Sequence, residues 1–200
     1  MRLFVAVTPP AGALDELEAA VAPLRSSCPE LRWTGRPNWH VTLAFLGQVD
    51  EAVADKLGTA LGEAVAKVHA GLVSLGPAGS FPKDRAWGNV LWVGLRDQDG
   101  FLTKLSETVG KAAEDAGAPP DRQKEYKPHL TLGRCRNAAK LGPLVAKLAG
   151  FRGRPWVAGE IQLFRSHLRP PRPEPRYEDL GRWPLAAAAG VAGPAPPAPL

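Results

Sequence analysis

The chain has 200 residues, a formal net charge of +5 and an ordinary hydrophobic share of 44%, enough for one globular unit or two small lobes sharing a core. Two cysteines without metal-ligand spacing exclude a disulfide framework and read as reduced thiols, and no stretch is long and apolar enough to span a bilayer. The cationic balance suits an anionic partner such as RNA or a phosphorylated metabolite, and equally a basic, soluble surface.

In chain order, residues 2–7 form a short apolar run that soon meets Pro9-Pro10. It is too short for a signal peptide and reads as a buried strand, which places the protein in the cytoplasm. Leu14, Leu17, Ala20, Val21 and Leu24 recur at helical spacing and predict a helix over 13–24. A short strand is expected over 31–34, then a strand carrying His40 and ending at Gly47. Asp50 stands where it can cap a helix running to about Val68. Strands are expected over 72–75 and 89–94, separated by a loop from Gly76 to Trp87, and a helix over 101–116 after an Asp-Gly turn signal. Lys127-Pro128 leads into a strand carrying His129. A helix over 138–148 and strands over 156–166 and 177–183 follow. Strands and helices interleave through both halves, so the class is α/β or α+β. Residues 186–200 contain only Ala, Gly, Val, Pro and Leu. Without periodicity or charge, they read as a disordered tail beyond a single domain of 1–185.

Two stretches carry chemistry. His40-Val41-Thr42-Leu43 and His129-Leu130-Thr131-Leu132 share the signature His-x-Thr-Leu. Side chains two apart on a strand point the same way, so each motif sets an imidazole beside a hydroxyl. If the two strands face each other, one cleft holds two imidazoles, able to supply an acid and a base near neutral pH. The same cleft holds two hydroxyls for an oxyanion, an outfit for metal-free phosphoester chemistry. Zinc would need a third ligand, and none stands at convincing short spacing from either motif. Each motif precedes a predicted helix, which hints at an internal duplication of a β-α unit.

The fifth residue after each histidine is less clear. Phe45 shares neither parity nor face with His40 in an unbroken strand. A bulge or strand end near Leu46-Gly47 would turn it toward the cleft, where it could stack on a base; core packing is the plainer reading. Arg134 suits a phosphate clamp or a solvated surface equally. His69 and His167 lie outside any motif and read as structural or exposed. Lys83, Arg85, Lys124 and Lys127 lie in loops near the motifs, as a basic rim or as merely solvated charge.

These residues resemble the 2H phosphoesterase superfamily and, within it, the RNA 2′,3′-cyclic phosphodiesterase family, also known as the LigT or 2′-5′ RNA ligase family. The likeness runs from Met1 to about Leu185. It rests on Arg2-Leu3-Phe4-Val5-Ala6-Val7, Asn38-Trp39-His40-Val41-Thr42-Leu43-Ala44-Phe45-Leu46-Gly47, Gly79-Ser80-Phe81-Pro82, Val90-Leu91-Trp92-Val93-Gly94, Pro128-His129-Leu130-Thr131-Leu132-Gly133-Arg134 and the closing Arg182-Trp183-Pro184-Leu185. Val41 stands where Leu is commoner, and the tail is extra. The resemblance implies an α+β fold of two pseudo-symmetric lobes, each with an antiparallel sheet and helices, around a central cleft. It implies hydrolysis of RNA 2′,3′-cyclic phosphate ends to 2′-phosphates without metal or other cofactor, with 2′-5′ joining as the reverse step. Neutral His129 would activate water and protonated His40 would protonate the leaving oxygen, an assignment the two equivalent motifs do not make by themselves. Thr42, Thr131 and Arg134 would hold the phosphate and Phe45 would stack on a base. The expected partner is RNA with a cyclic end, tRNA halves among them, acted on by a monomer. The rivals are a phosphodiesterase for a small cyclic nucleotide or ADP-ribose cyclic phosphate, and a non-catalytic module that binds RNA ends.

Overall fold

The computed structural model describes residues 1–82, 87–97, 99–121, 126–167 and 175–187. Its strands are β1 (Arg2–Val7), β2 (Leu31–Trp33), β3 (Val41–Gln48), β4 (Gly71–Phe81), β5 (Trp87–Asp97), β6 (His129–Lys140), β7 (Trp156–Ala158), β8 (Glu160–His167) and β9 (Arg176–Pro184). Its helices are α1 (Ala11–Val21), α2 (Glu51–Val65), α3 (Phe101–Asp115) and α4 (Gly142–Lys147). All strand pairs are antiparallel, in the order β7-β4-β5-β6-β3-β1-β8-β9, with β2 added to β6. The fold is α+β.

The sheet divides into two four-stranded halves, β7-β4-β5-β6 and β3-β1-β8-β9. They meet at a seam where Val41 of β3 pairs with Leu130 of β6. Each half contains a strand–helix–strand unit ending on a His-x-Thr segment: β1-α1-β3 in one, where His40 stands one residue before the strand expected to carry it, and β5-α3-β6 in the other. Two of the helices, α1 and α3, cross the seam. α2 and α3 lie against β9 and β3, whereas α1 and α4 lie against β4. Their apolar stripes (Leu14, Leu17 and Val21; Leu57, Leu61 and Val65; Leu102, Leu105 and Val109) join one core with Val5, Val41, Leu91 and Leu130. That shared core, more than strand pairing, joins the halves. Burial of so many full-sized aliphatic side chains is the main force holding it.

α3 is tied both to the strand before it and to the strand it lies beneath. Asp97 Oδ2 accepts the Leu102 amide of α3 at 2.7 Å, capping one of the otherwise unpaired N-terminal donors. Ser106 of α3 reaches the Leu43 carbonyl at 2.7 Å, pinning the helix beneath β3.

Three expected elements are corrected. The expected loop from Gly76 to Trp87 is strand as far as Phe81, and strand resumes at Trp87. Gly76 and Pro77 sit in a bulge between the pairs Leu75↔Leu95 and Ala78↔Val93, where proline needs no ladder donor. Gly79 is there because the Trp92 ring occupies its side-chain space: a Cβ would lie 2.3 Å from Cη2 and Cζ2. The expected helix over 138–148 begins only at Gly142, because Ala139 and Lys140 pair with Gly88 and Trp87. Ladder pairing there overrides the helical preference of alanine. The single strand expected over 156–166 is broken at Gly159 into β7 and β8, which pair with β4 and β1 respectively.

At the C-terminal end, Ala186 is paired: it bridges His69 and exchanges backbone bonds of 2.8 Å with Val68 and Ala70. From residue 188 the expected tail lies outside the described residues. Among the described residues no helix is long and apolar enough to cross a membrane.

Gly79→Ala is expected to destabilise the fold by about 1–3 kcal/mol, the usual cost of overpacking, because the ring it meets is wedged across the strand. A denaturant midpoint equal to wild type would contradict the contact.

Candidate active site

Val41 and Leu130 are fully buried and point into the helix-covered core. Strand alternation therefore turns their neighbours to the other face: His40 and Thr42 from one side of the seam, His129 and Thr131 from the other. Because the strands are antiparallel with 41 opposite 130, His40 stands beside Thr131 and Thr42 beside His129. The four side chains form a square with twofold symmetry, imidazoles on one diagonal and hydroxyls on the other.

The imidazoles are held in the same way. His40 Nδ1 lies 2.8 Å from the Asn38 carbonyl and His129 Nδ1 lies 2.7 Å from the Lys127 carbonyl, each two residues back. A carbonyl only accepts, so Nδ1 carries the proton in both rings, leaving Nε2 free to take or give one. Aromatic rings fix each plane. His40 packs against Phe4 (centroids 4.8 Å) and edge-on to Tyr177 (5.2 Å). His129 stands edge-on to Phe81 (5.1 Å) and 6.1 Å from Trp92.

Burial lowers the basicity of both. His40 is pushed down to about 4, chiefly by desolvation, with the His129 and Arg134 charges adding to it. His129 is lowered by desolvation and by Arg134 and Lys127. The backbone acceptors oppose these shifts but do not overcome them.

Both fifth residues come to the same face as their histidine, through matched bulges. On β3 the register with β1 slips between Val5↔Ala44 and Ala6↔Thr42, and Leu43 and Ala44 are both buried in succession. On β6 it slips between Leu91↔Gly133 and Trp92↔Thr131, with Leu132 and Gly133 both buried. Each slip reverses the alternation. The bulge lies at Leu43-Ala44, earlier than the strand end at Leu46-Gly47 that the sequence offered. Phe45 is 50% exposed, its ring 6.1 Å from that of Phe4, and Arg134 is exposed with its charge felt at both imidazoles. Among the described residues no hydrogen bond or ion pair engages the Thr42 or Thr131 hydroxyls or the Arg134 guanidinium. All three are open to an anion.

The remaining candidates divide. His69 bridges Ala186 through its backbone, and His167 Nε2 pairs with Glu178 at 2.6 Å, on β8 and β9. Cys28 and Cys135 are buried free thiols. Lys83, Arg85 and Lys124 lie outside the described residues; Lys127 Nζ sits 4.3 Å over the Trp92 ring. Among the described residues no three His, Cys, Asp or Glu side chains are grouped as metal ligands would be. Sequence reasoning missed the aromatic walls, Phe4, Phe164 and Tyr177 on one side and Phe81 and Trp92 on the other. The available signal was the even-numbered aromatic on β1, Phe4, between Leu3 and Val5 of the core.

Residues 9–170 match the sequence model of the 2′-5′ RNA ligase superfamily. The RNA 2′,3′-cyclic phosphodiesterase of Methanothermobacter thermautotrophicus is 28% identical over 176 residues, spanning 86% of this chain and 94% of its own. That of Thermus thermophilus is 32% identical over 185 residues, spanning 86% and 85%. The crystal structure of E. coli LigT in apo form resembles this fold with a TM-score of 0.71 at 26% identity, covering 92% of this chain and 97% of LigT. The LigT complex with 3′-AMP gives a TM-score of 0.72 at 25% identity, covering the same shares.

Proposed function

The chain belongs to the 2′-5′ RNA ligase superfamily, and from that premise we propose that it hydrolyses RNA 2′,3′-cyclic phosphate ends to 2′-phosphates without a metal. The observation that carries the reading is the square of two imidazoles and two hydroxyls across the seam, with both Nε2 atoms unengaged by their backbone carbonyls.

The cyclic diester seats between Thr42 and Thr131, whose hydroxyls donate to its non-bridging oxygens, while Arg134 offsets the charge that grows on the phosphorane. His129 Nε2 takes a proton from water as its oxygen bonds to phosphorus. The P–O3′ bond breaks, and His40 Nε2 gives its proton to the leaving oxygen. The products are a 2′-phosphate and a 3′-hydroxyl. An in-line displacement needs base and acid on opposite sides of phosphorus, and the diagonal of the square supplies that separation. Run backwards with a 5′-hydroxyl in place of water, the same groups form a 2′-5′ linkage. The reading includes a cytoplasmic monomer acting on cleaved RNAs such as tRNA halves.

The test is incubation in EDTA with an RNA oligonucleotide ending in a 2′,3′-cyclic phosphate, the product being identified by the mass of one added water and by its release of phosphate to a phosphatase. A cyclic end left intact, or turned over only without EDTA, defeats the proposal.

The pH dependence has a definite sign. The reactive free protein holds one proton on its two imidazoles. Below about 4 both are charged, and above the lowered His129 value, itself under 6.5, both are neutral. The expected profile of kcat/KM is a bell whose maximum lies on the acid side of pH 6.5. That of kcat is displaced upward, since a bound anion favours the imidazolium. Stability follows the same shifts: the unfolded chain takes up these protons near pH 6.5 and the folded chain only lower, so stability falls as pH drops from about 6.5 toward 4. A kcat/KM that rises steadily to pH 9 would contradict both lowered values.

A further inference from the structure

Lys127 is a cation whose charge is felt at His129 and that hydrolysis of the cyclic diester does not use. Its carbonyl positions His129, but its side chain is committed elsewhere, with Nζ 4.3 Å over the ring of Trp92. Trp92 lies opposite Thr131 in the β5–β6 ladder, so the two side chains share the cleft face, the tryptophan one strand farther from the seam. The ring is held firmly. It is only 6% exposed, stands 5.2 Å from Phe81, and lies across Gly79, whose missing Cβ makes the room.

Two features mark this as more than packing. The Trp92 Nε1 donor is buried and finds no acceptor among the described residues, a cost that a purely structural position would be expected to shed by using Phe or Leu. And the Lys127 ammonium, on an exposed residue, has no carboxylate within pairing distance among the described residues. Lysines free of such a partner ordinarily extend into water. This one is laid along an aromatic face, close enough to His129 for its charge to be felt there. The structure thus holds a second cation beside the imidazole–hydroxyl square, unneutralised among the described residues, on a flat rigid support.

The cyclic phosphate bears one negative charge, already met by Thr42, Thr131 and Arg134. In a nucleic-acid chain the next anion is the phosphodiester joining the terminal nucleotide to its neighbour. We propose that Lys127, seated on Trp92, binds the phosphodiester one nucleotide to the 5′ side of the cyclic end, making oligonucleotide ends preferred over cyclic mononucleotides. This rests on reading the cleft as a cyclic phosphodiesterase.

The experiment compares kcat/KM for a dinucleotide ending in a 2′,3′-cyclic phosphate with that for the corresponding nucleoside 2′,3′-cyclic phosphate, in wild type, Lys127→Met and Lys127→Arg. The expected result is a ratio of dinucleotide to mononucleotide that falls about tenfold in Lys127→Met and is retained in Lys127→Arg. The salt dependence of the dinucleotide reaction should also become shallower by about 0.7 in log–log slope, one phosphate contact on a single strand. A ratio in Lys127→Met equal to wild type, even with both rates reduced, overturns the subsite and leaves the hydrolase standing. A Lys127→Arg ratio as low as that of Lys127→Met also overturns it, because charge would not be the cause. Hydrolysis of neither substrate by wild type overturns both readings together.

Discussion

His129→Ala and His40→Ala are each expected to lower kcat on a cyclic-ended oligonucleotide by about 10²–10⁴-fold, the range for removing a positioned proton-transfer group. At about 1.4 kcal/mol per decade, that is roughly 3–5 kcal/mol of transition-state stabilisation from each ring. On the proposed mechanism the two act on the same step, one on the attacking water and one on the leaving oxygen, so the double variant should fall well short of the product of the single losses. Single-turnover rates with enzyme in excess separate this from weakened binding. Both rings are half-buried beside, and not within, the apolar core, so the variants should retain the wild-type circular dichroism. A module that only binds RNA ends would show no turnover to lose. If one variant kept full activity, water activation or leaving-group protonation would have to come from elsewhere, and the symmetric square would no longer explain the chemistry.

The second large effect is expected at the hydroxyls. Thr131→Val, and equally Thr42→Val, should lower kcat by about 10²–10³-fold, as loss of one oxyanion donor does elsewhere. Valine keeps the branched shape, and no hydrogen bond engages either hydroxyl among the described residues. The substitution therefore leaves no buried partner unsatisfied, and thermal stability should stay within about 0.5 kcal/mol of wild type. The readout that matters is the division between constants. A loss confined to kcat places the donor on charge that develops in the transition state, whereas a rise in KM alone would mean the threonines merely help to seat the ground state.

Much of this site was legible from residue order because the relevant period is short. His-x-Thr needs only strand alternation to bring two groups to one face; β6 keeps it from His129 to Thr131, and burial alternates likewise from His40, one residue before β3, to Thr42. Beyond the threonines, reading failed for a physical reason: a bulge is decided by the partner strand. Nothing in Leu43-Ala44 or Leu132-Gly133 announces that β1 and β5 oppose one residue with two there, and so the face of Phe45 could be settled only in the fold. The same holds for the expected loop at Gly76. Its glycines and proline look like punctuation until the Trp92 ring is seen filling the space over Gly79. The carbonyls that set the tautomers, at Asn38 and Lys127, are invisible to side-chain patterns altogether. Helix placement across the seam was equally beyond reach, because α3 follows β5 in the chain yet lies beneath β3.

The matched bulges also bear on which way round a substrate lies. A square of two identical rings and two identical hydroxyls would accept a nucleotide and the same nucleotide rotated by half a turn with equal ease, and each histidine would then serve as acid in half of the turnovers. The fifth residues break the symmetry, an apolar ring at Phe45 and a guanidinium at Arg134, delivered to the same face by the same backbone device, and on the proposed mechanism that mismatch would remove the ambiguity. The division of labour between the imidazoles is accordingly not inscribed in the imidazoles. On the proposed mechanism it would be imposed from outside the reacting set, by two side chains that transfer no proton.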